Sequence, residues 1–173
     1  MKNDVQRFLA QEKGSDVFFT TMIDLYGIQA DFPGLNEAEK LRHLPQKRVE
    51  LLEQAFADDI GDRRFIPHIQ LFEFETMLFV EHSQLERFFP GRGRPIAALQ
   101  AIADAHPSPE VIDDGPATAP SKRIIAQISA YEQAKPAAGP QVAAQIGLTA
   151  IRARCPHFAA WLSRLEKLGE GTK

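Results

Sequence analysis

The chain has 173 residues, of which 44% are hydrophobic and 25% charged, a composition typical of one globular domain with a proper core. No apolar run approaches the roughly 20 residues needed to span a bilayer. The N-terminus lacks the apolar stretch of a signal peptide, so we expect a cytoplasmic protein without membrane segments. Cys155 is the only cysteine, which excludes an intrachain disulfide and a cysteine-based zinc cluster.

The first 90 residues are predicted to form an α/β core. The apolar spacing predicts helices over about residues 4–11, 48–59 and 73–80. Runs of β-branched and aromatic residues predict strands over residues 17–23 and 65–71, with Pro67 favouring an edge or the start of a strand. Strand, helix and strand in this order predict a right-handed parallel crossover, so both strands end at the same edge of the sheet.

From about residue 91 the sequence is predicted to be mostly helical. Helices are expected over about residues 96–105, 119–131, 140–146, 148–153 and 156–168, with a loop at 113–116. Residues 1–116 carry a net charge of −8 and residues 117–173 one of +5. An acidic part can recruit divalent cations and a basic part phosphates, although scattered surface charges explain the same counts. We predict a core over residues 1–90 and a helical part over residues 91–173 that packs on it.

Asp24 is the first candidate site residue, because it ends the strand predicted over residues 17–23. Ligands bind at the carboxyl edge of open α/β sheets. Glu73 and Glu75 directly follow the second predicted strand, and a parallel crossover brings them near Asp24. Three carboxylates suit Mg²⁺ or Mn²⁺, which activates water for attack on a phosphodiester. The alternative is structural: Asp24 caps a loop and Glu73 caps a helix.

Three more polar residues of the core have both a structural and a functional interpretation. Asp31 lies just past the strand edge and either approaches the same site or forms an Asx-turn. His68 and Gln70 alternate with apolar neighbours, so one face of their strand is polar. His68 is therefore either a hydrogen-bonded buried histidine or a site residue.

Basic residues of the helical part are candidates for binding phosphate groups. Thr118 is predicted to be the N-cap of a helix with Pro120 in its first turn, which leaves free backbone N–H groups beside two cations. A second basic group surrounds the Cys155-Pro156 step and includes His157. The candidate phosphate-binding residues are Lys122, Arg123, Arg152 and Arg154. The alternative is an ordinary helix start and solvated arginines near a helix end.

Several motifs that define known enzyme classes are absent from the sequence. There is no phosphate-binding GxxxxGK[ST] loop, no GxGxxG turn, no GxSxG elbow and no HExxH helix. Nucleotide hydrolysis, dinucleotide redox chemistry and serine-type hydrolysis therefore lose support.

A series of segments, taken in order, resembles the bacterial family known as domain of unknown function 4276. In the first half of the chain these segments are TTMIDLYG (20–27), DFPG (31–34), RVE (48–50) and FIPHIQLFEFE (65–75). In the second half they are IDDGP (112–116), TAPSKR (118–123) and IRARCPHF (151–158). The resemblance covers nearly the whole chain.

The resemblance implies a TOPRIM-like α/β domain, related to metal-dependent nuclease and topoisomerase modules, and an association with ABC-type ATPases in phage-defence loci. Asp24 matches the first aspartate of the Asp-x-Asp pair of a TOPRIM site, whereas Tyr26 stands at the second position. Family members commonly begin with an upstream strand that carries a catalytic glutamate. They also tend to have a histidine where this chain has Phe72.

We therefore expect a Mg²⁺-dependent nuclease-type domain that acts on nucleic acid, or a degenerate or N-terminally shortened version of one. Its metal ligands would be Asp24, Glu73 and Glu75. The alternative is a non-catalytic interaction subunit that docks on an ABC-type ATPase through its helical half.

Overall fold

A computed structural model describes residues 1–112, 115 and 117–170. The loop predicted at residues 113–116 therefore lies outside the described residues, apart from Gly115. The fold is mixed α/β, with small parallel strand pairs, flanking helices and a mostly helical second half, as the sequence predicts. The chain divides into two compact units. The first comprises residues 1–71 and the described residues from Arg164 onward, and the second comprises the described residues between Phe72 and Ser163. The domain boundary at residue 90 stays a prediction.

Residues 1–71 of the first unit form three α-helices and four short strands. In chain order these are α1 (Lys2–Gln11), β1 (Phe19–Thr20), β2 (Ile23–Asp24), α2 (Leu35–Glu39), α3 (Pro45–Ile60), β3 (Phe65–Ile66) and β4 (Ile69–Gln70). A 3-10 turn (Leu25–Gly27) follows β2. Strand β1 pairs with β3 and β2 with β4, and both pairs are parallel. The predicted parallel pairing is confirmed, but each predicted strand is two short strands in the structure.

Pro67 explains the interruption of the strands. Proline has no backbone N–H, so the hydrogen-bond ladder cannot continue through it. Two neighbouring threonine hydroxyls bridge the gap. The Thr20 hydroxyl donates to the carbonyl of Ile66 at 2.6 Å, and the Thr21 hydroxyl accepts from the N–H of His68 at 3.4 Å. The ladder then resumes as β2 and β4, so the strand segments on each side of the gap are paired in the same parallel sense.

Helix α3 provides the apolar face that covers the strands of the first unit. Its buried side chains are Val49, Leu52 and Phe56, which are spaced to share one face of the helix. The ring of Phe56 packs against the rings of Phe32 and Phe65, with centroids 5.0 and 4.9 Å apart. Burying a phenylalanine to this extent stabilises a fold by about 2 kcal/mol. This packing fixes α3 against the strands that carry the candidate site.

The second unit is built from helices. They are 3-10 helices at Phe74–Val80, His82–Arg87 and Pro109–Val111, and α-helices α4 (Gly93–Asp104), α5 (Pro120–Gln127), α6 (Tyr131–Ile146), α7 (Leu148–Arg154) and the first part of α8 (Pro156–Glu170). Its core contains fully buried side chains from most of these elements, namely Leu78, Leu85, Leu99, Ile112, Ile124, Tyr131 and Val142. None of the helices in the described part of the chain is long and apolar enough to cross a membrane.

Three of the predicted helices differ in the structure. The helix predicted over residues 119–131 ends earlier, because α5 covers only Pro120–Gln127. The segment after Glu73 is a 3-10 helix and not an α-helix. Five consecutive residues in it, 75–79, are buried. Its conformation therefore depends on packing on several sides and not on one apolar helix face. Helix α6 begins at Tyr131 and not at residue 140, and it contains both Pro136 and Pro140. Burial of one side of this long helix contributes more to its stability than is lost with the backbone hydrogen bonds that the two prolines remove.

Candidate functional site

Asp24 lies at the carboxyl end of the parallel strands of the first unit. It is the last residue of β2 and is in register with Gln70, the last residue of β4. The 3-10 turn that follows begins directly after it, and the Asp24 side chain makes no capping hydrogen bond to that turn. The side chain is partly exposed. Asp24 therefore lies at the predicted strand end, and its role as a ligand-binding carboxylate stays a prediction.

A buried polar group lies behind this edge in the same unit, and we call Glu53, His68 and Gln70 the Glu–His–Gln group. His68 and Gln70 are 1% and 0% exposed. The Nε2 of His68 is 3.5 Å from the Oε1 of Gln70, and its Nδ1 is 3.5 Å from the Oε1 of Glu53. The same Glu53 oxygen accepts a 2.7 Å hydrogen bond from the N–H of Ile69. Glu53 thus satisfies a backbone donor of β4 and contacts the imidazole.

Glu53 is not among the predicted site residues, although the sequence contains a signal for it. Residues 49, 52, 53 and 56 stand at i, i+3, i+4 and i+7 of α3, the spacing of a core-facing stripe. Glu53 is the one ionisable member of that stripe. A carboxylate at such a position needs a polar partner inside the fold.

Glu73 belongs to the second unit and acts as a distant helix cap. Its two carboxylate oxygens accept hydrogen bonds from the backbone N–H of Ser121 (2.8 Å) and from the Ser121 hydroxyl (3.0 Å). Ser121 is the second residue of α5, whose own N-cap, Ala119, has no side chain that can accept. The structure therefore places Glu73 in the capping role that the sequence left as an alternative, but at a helix far along the chain. The predicted metal role of Glu73 stays a prediction.

Glu75 is buried in the second unit beside a tyrosine and a lysine. It is 1% exposed, and its Oε1 accepts a 3.1 Å hydrogen bond from the hydroxyl of Tyr131. The ammonium group of Lys135 lies 3.3 Å from its Oε2. Burial, together with the negative charge of Glu75, raises the pKa of Tyr131 far above its ordinary value, so the phenol stays protonated and donates.

The three predicted metal ligands are thus divided between the units, with Asp24 in the first and Glu73 and Glu75 in the second. Within the second unit, both glutamates have protein donors. Each carboxylate thus has its own local surroundings. Their joint role as ligands of one metal ion stays a prediction.

The predicted phosphate-binding residues all lie in the second unit. Arg123 donates from Nε to the carbonyl of Thr118 at 2.7 Å, and Lys122 is exposed. Arg152 donates to the Ser163 hydroxyl at 2.7 Å. Arg154 is exposed. Together with Arg152 it lines a surface depression of about 570 Å³ at the turn between α7 and α8. The second basic pair therefore shares one surface feature, and its role in binding phosphate stays a prediction.

Two helix N-termini predicted near these cations are occupied by the protein itself. Thr118 is not the N-cap of α5, and its hydroxyl donates to the carbonyl of Gly115 at 3.1 Å. Glu73 accepts the hydrogen bond from the backbone N–H of Ser121 at that helix start instead. At the start of α8, the carboxylate of Glu110 accepts from the N–H groups of His157 (2.8 Å) and Phe158 (3.0 Å). Glu110 is 2% exposed, and burial raises its pKa.

Comparison with known proteins identifies the family of this chain. Residues 1–166 match the family model described as domain of unknown function (DUF4276), so the chain belongs to that family. The resemblance noted in the sequence is confirmed. No curated protein and no solved structure matches the chain.

Proposed function

We propose that this protein is a TOPRIM-like domain that hydrolyses phosphodiester bonds of nucleic acid with the help of Mg²⁺ or Mn²⁺. The observation that supports the proposal is the placement of Asp24. It ends a strand at the carboxyl edge of a parallel pair, and its side chain makes no capping hydrogen bond to the turn that follows. Such edges are where α/β proteins bind their ligands.

The residues have separate roles in this proposal. A hard divalent cation is bound through one or two carboxylates and several waters, and it supplies an activated water and neutralises charge on the phosphate. Asp24 is the primary metal ligand. Lys122, Arg123, Arg152 and Arg154 hold backbone phosphates of the substrate and so set its position. Glu73 and Glu75 would first have to exchange their present donors, Ser121 and Tyr131, for the metal.

A metal titration tests the proposal at Asp24. Calorimetric titration with Mg²⁺ and Mn²⁺ is compared for the natural protein, for Asp24→Asn and for Asp16→Asn. Asp16 is an exposed aspartate of the same unit and serves as the matched control. We expect Asp24→Asn to weaken binding at least tenfold, because it removes a metal ligand, and Asp16→Asn to leave it unchanged. Equal binding by all three proteins, with folding confirmed by circular dichroism, would overturn the assignment.

Cleavage assays complete the test. Labelled single- and double-stranded DNA and RNA are incubated with the protein and Mn²⁺, with the Asp24→Asn variant as the control. Product formed by the natural protein alone supports the proposal. Cleavage that persists in the variant indicates a contaminating nuclease.

A second function has one specific observation in its favour. The acidic residues Glu73 and Glu75 stabilise the second unit through internal hydrogen bonds, as they would in a non-catalytic subunit. In that case the chain docks on an ABC-type ATPase of a phage-defence system. Absence of both metal binding and cleavage, together with a complex between this protein and an ABC-type ATPase in size-exclusion chromatography, would favour this function over the first.

A further inference from the structure

The Glu–His–Gln group has features of a metal site of a different kind from the one at Asp24. Glu53 projects from α3, while His68 and Gln70 come from the polar side of β4 and the residues just before it. The His68 side chain is 1% exposed and that of Glu53 17%. A buried imidazole thus lies beside a carboxylate that solvent still reaches.

The separation of the two side chains fits two ligands of one ion. The 3.5 Å between the Nδ1 of His68 and the Oε1 of Glu53 exceeds the usual 2.7–3.2 Å of a hydrogen bond. Two ligand atoms, each about 2.1 Å from a tetrahedrally coordinated ion, lie about 3.4 Å apart. The observed geometry matches coordination more closely than direct hydrogen bonding.

The surroundings hold the carboxylate in place. The N–H of Ile69 donates to the Oε1 of Glu53 at 2.7 Å, which fixes one oxygen beside the imidazole. Metal-binding carboxylates in proteins are commonly oriented by such an additional hydrogen bond. The carboxylate oxygen has a further lone pair, so this hydrogen bond does not prevent coordination.

Gln70 gives an independent indication of a ligand. Its side chain is fully buried, yet its Nε2 has no hydrogen-bond partner among the described residues. An amide N–H buried in this way costs about 1–3 kcal/mol unless it finds an acceptor. The Oε1 of the same amide lies 3.5 Å from the Nε2 of His68, so the amide belongs to this polar group, and a water molecule bound within the group would supply the acceptor.

We propose that Glu53 and His68 bind a divalent transition-metal ion such as Zn²⁺. Imidazole nitrogen favours transition-metal ions, whereas Mg²⁺ favours oxygen ligands alone. The site is therefore distinct in chemistry from the Asp24 site and does not depend on nuclease activity. Water completes the coordination around the two protein ligands.

Co²⁺ provides a spectroscopic probe for this site, because it occupies zinc sites and is coloured when bound by nitrogen and oxygen ligands. The visible spectrum during Co²⁺ titration, and the Zn²⁺ affinity by calorimetry, are measured for Glu53→Gln and His68→Gln. The matched controls are Glu50→Gln, an exposed glutamate one turn earlier on α3, and His43→Gln, an exposed histidine of the same unit.

We expect about a tenfold or greater loss of affinity in each site variant and none in the controls. Glu53→Gln keeps an oxygen for the N–H of Ile69, so it tests the site even if the buried His68 variant fails to fold. Unchanged Zn²⁺ affinity in Glu53→Gln, or a loss in His43→Gln, would overturn the proposal. Asp24→Asn is expected to retain Zn²⁺ binding, which separates this site from the proposed nuclease metal.

Discussion

Removing the side chain of Glu73 tests whether this residue is chiefly a helix cap. In Glu73→Ala, the N–H and the hydroxyl of Ser121 both lose their acceptor. Loss of a helix cap costs about 0.5–2 kcal/mol, and a hydrogen bond to a charged group contributes about 1.5–3 kcal/mol. Glu73 is partly exposed, so water compensates in part, and we expect a loss of about 2 kcal/mol.

Glu73→Gln separates the acceptor from the charge. Its amide oxygen still accepts from the N–H of Ser121, and its amide N–H donates to the serine oxygen. We expect this variant to lose less than about 1 kcal/mol, mainly the favourable interaction of a negative charge with a helix N-terminus. If Glu73 acts only as a cap, Glu73→Gln also keeps the affinity for Mg²⁺ or Mn²⁺.

Urea unfolding followed by far-UV circular dichroism and by the fluorescence of Trp161 measures these losses. Trp161 is the only tryptophan and lies in the second unit, where its ring centroid is 5.5 Å from that of Phe158. Glu132→Ala, an exposed glutamate in the first turn of α6, is the control and should change stability by less than about 0.5 kcal/mol. A Glu73→Ala variant as stable as this control would refute the capping role. An equal loss in Glu73→Ala and Glu73→Gln would show that the charge matters rather than the acceptor.

Two further predictions concern burial and backbone conformation. Because burial raises the pKa of Glu110, this group contributes stability that is present below its ordinary pKa and is lost as pH rises through the higher folded-state value. Glu110→Gln should lack this loss when the free energy of unfolding is measured across that range, and a variant with an unchanged pH profile would contradict the prediction. Gly34 has φ of 75°, and an added Cβ would lie 2.7 Å from the Cβ of Ala55, so Gly34→Ala should cost about 2–4 kcal/mol in urea unfolding. Gly91→Ala, with φ of 77° and open space, should cost only about 1 kcal/mol, and equal losses in the two variants would show that the close approach to α3 is unimportant.

The local pattern of the sequence was sufficient for several elements of the fold. The helix predicted over about residues 48–59 and the parallel pairing of the two β-rich segments are confirmed. The position of Asp24 at the end of its strand also follows from local sequence, because an apolar run that stops at a carboxylate and a glycine is typical of a strand followed by a turn. Local sequence succeeds here because helix period and strand composition depend on near neighbours.

Other features were set by contacts between distant residues, and local patterns could not predict them. Pro67 interrupts the strands, but the hydroxyls that bridge the gap come from a segment more than 40 residues earlier. The prolines of α6 indicate a later start for the helix than the structure has, because the apolar surface that stabilises its first turns lies elsewhere in the chain.

The sequence by itself determined that this is a mixed α/β member of the DUF4276 family with an aspartate at a strand end. Only the tertiary structure decided which partners the other acids have. Glu73 caps α5, Glu110 caps α8 and Glu53 lies beside His68, and each of these pairs joins residues 15 or more positions apart. The physical reason is that a carboxylate removed from water, even in part, needs a hydrogen-bond donor. Which donor lies near it depends on the packing of whole elements rather than on neighbouring residues.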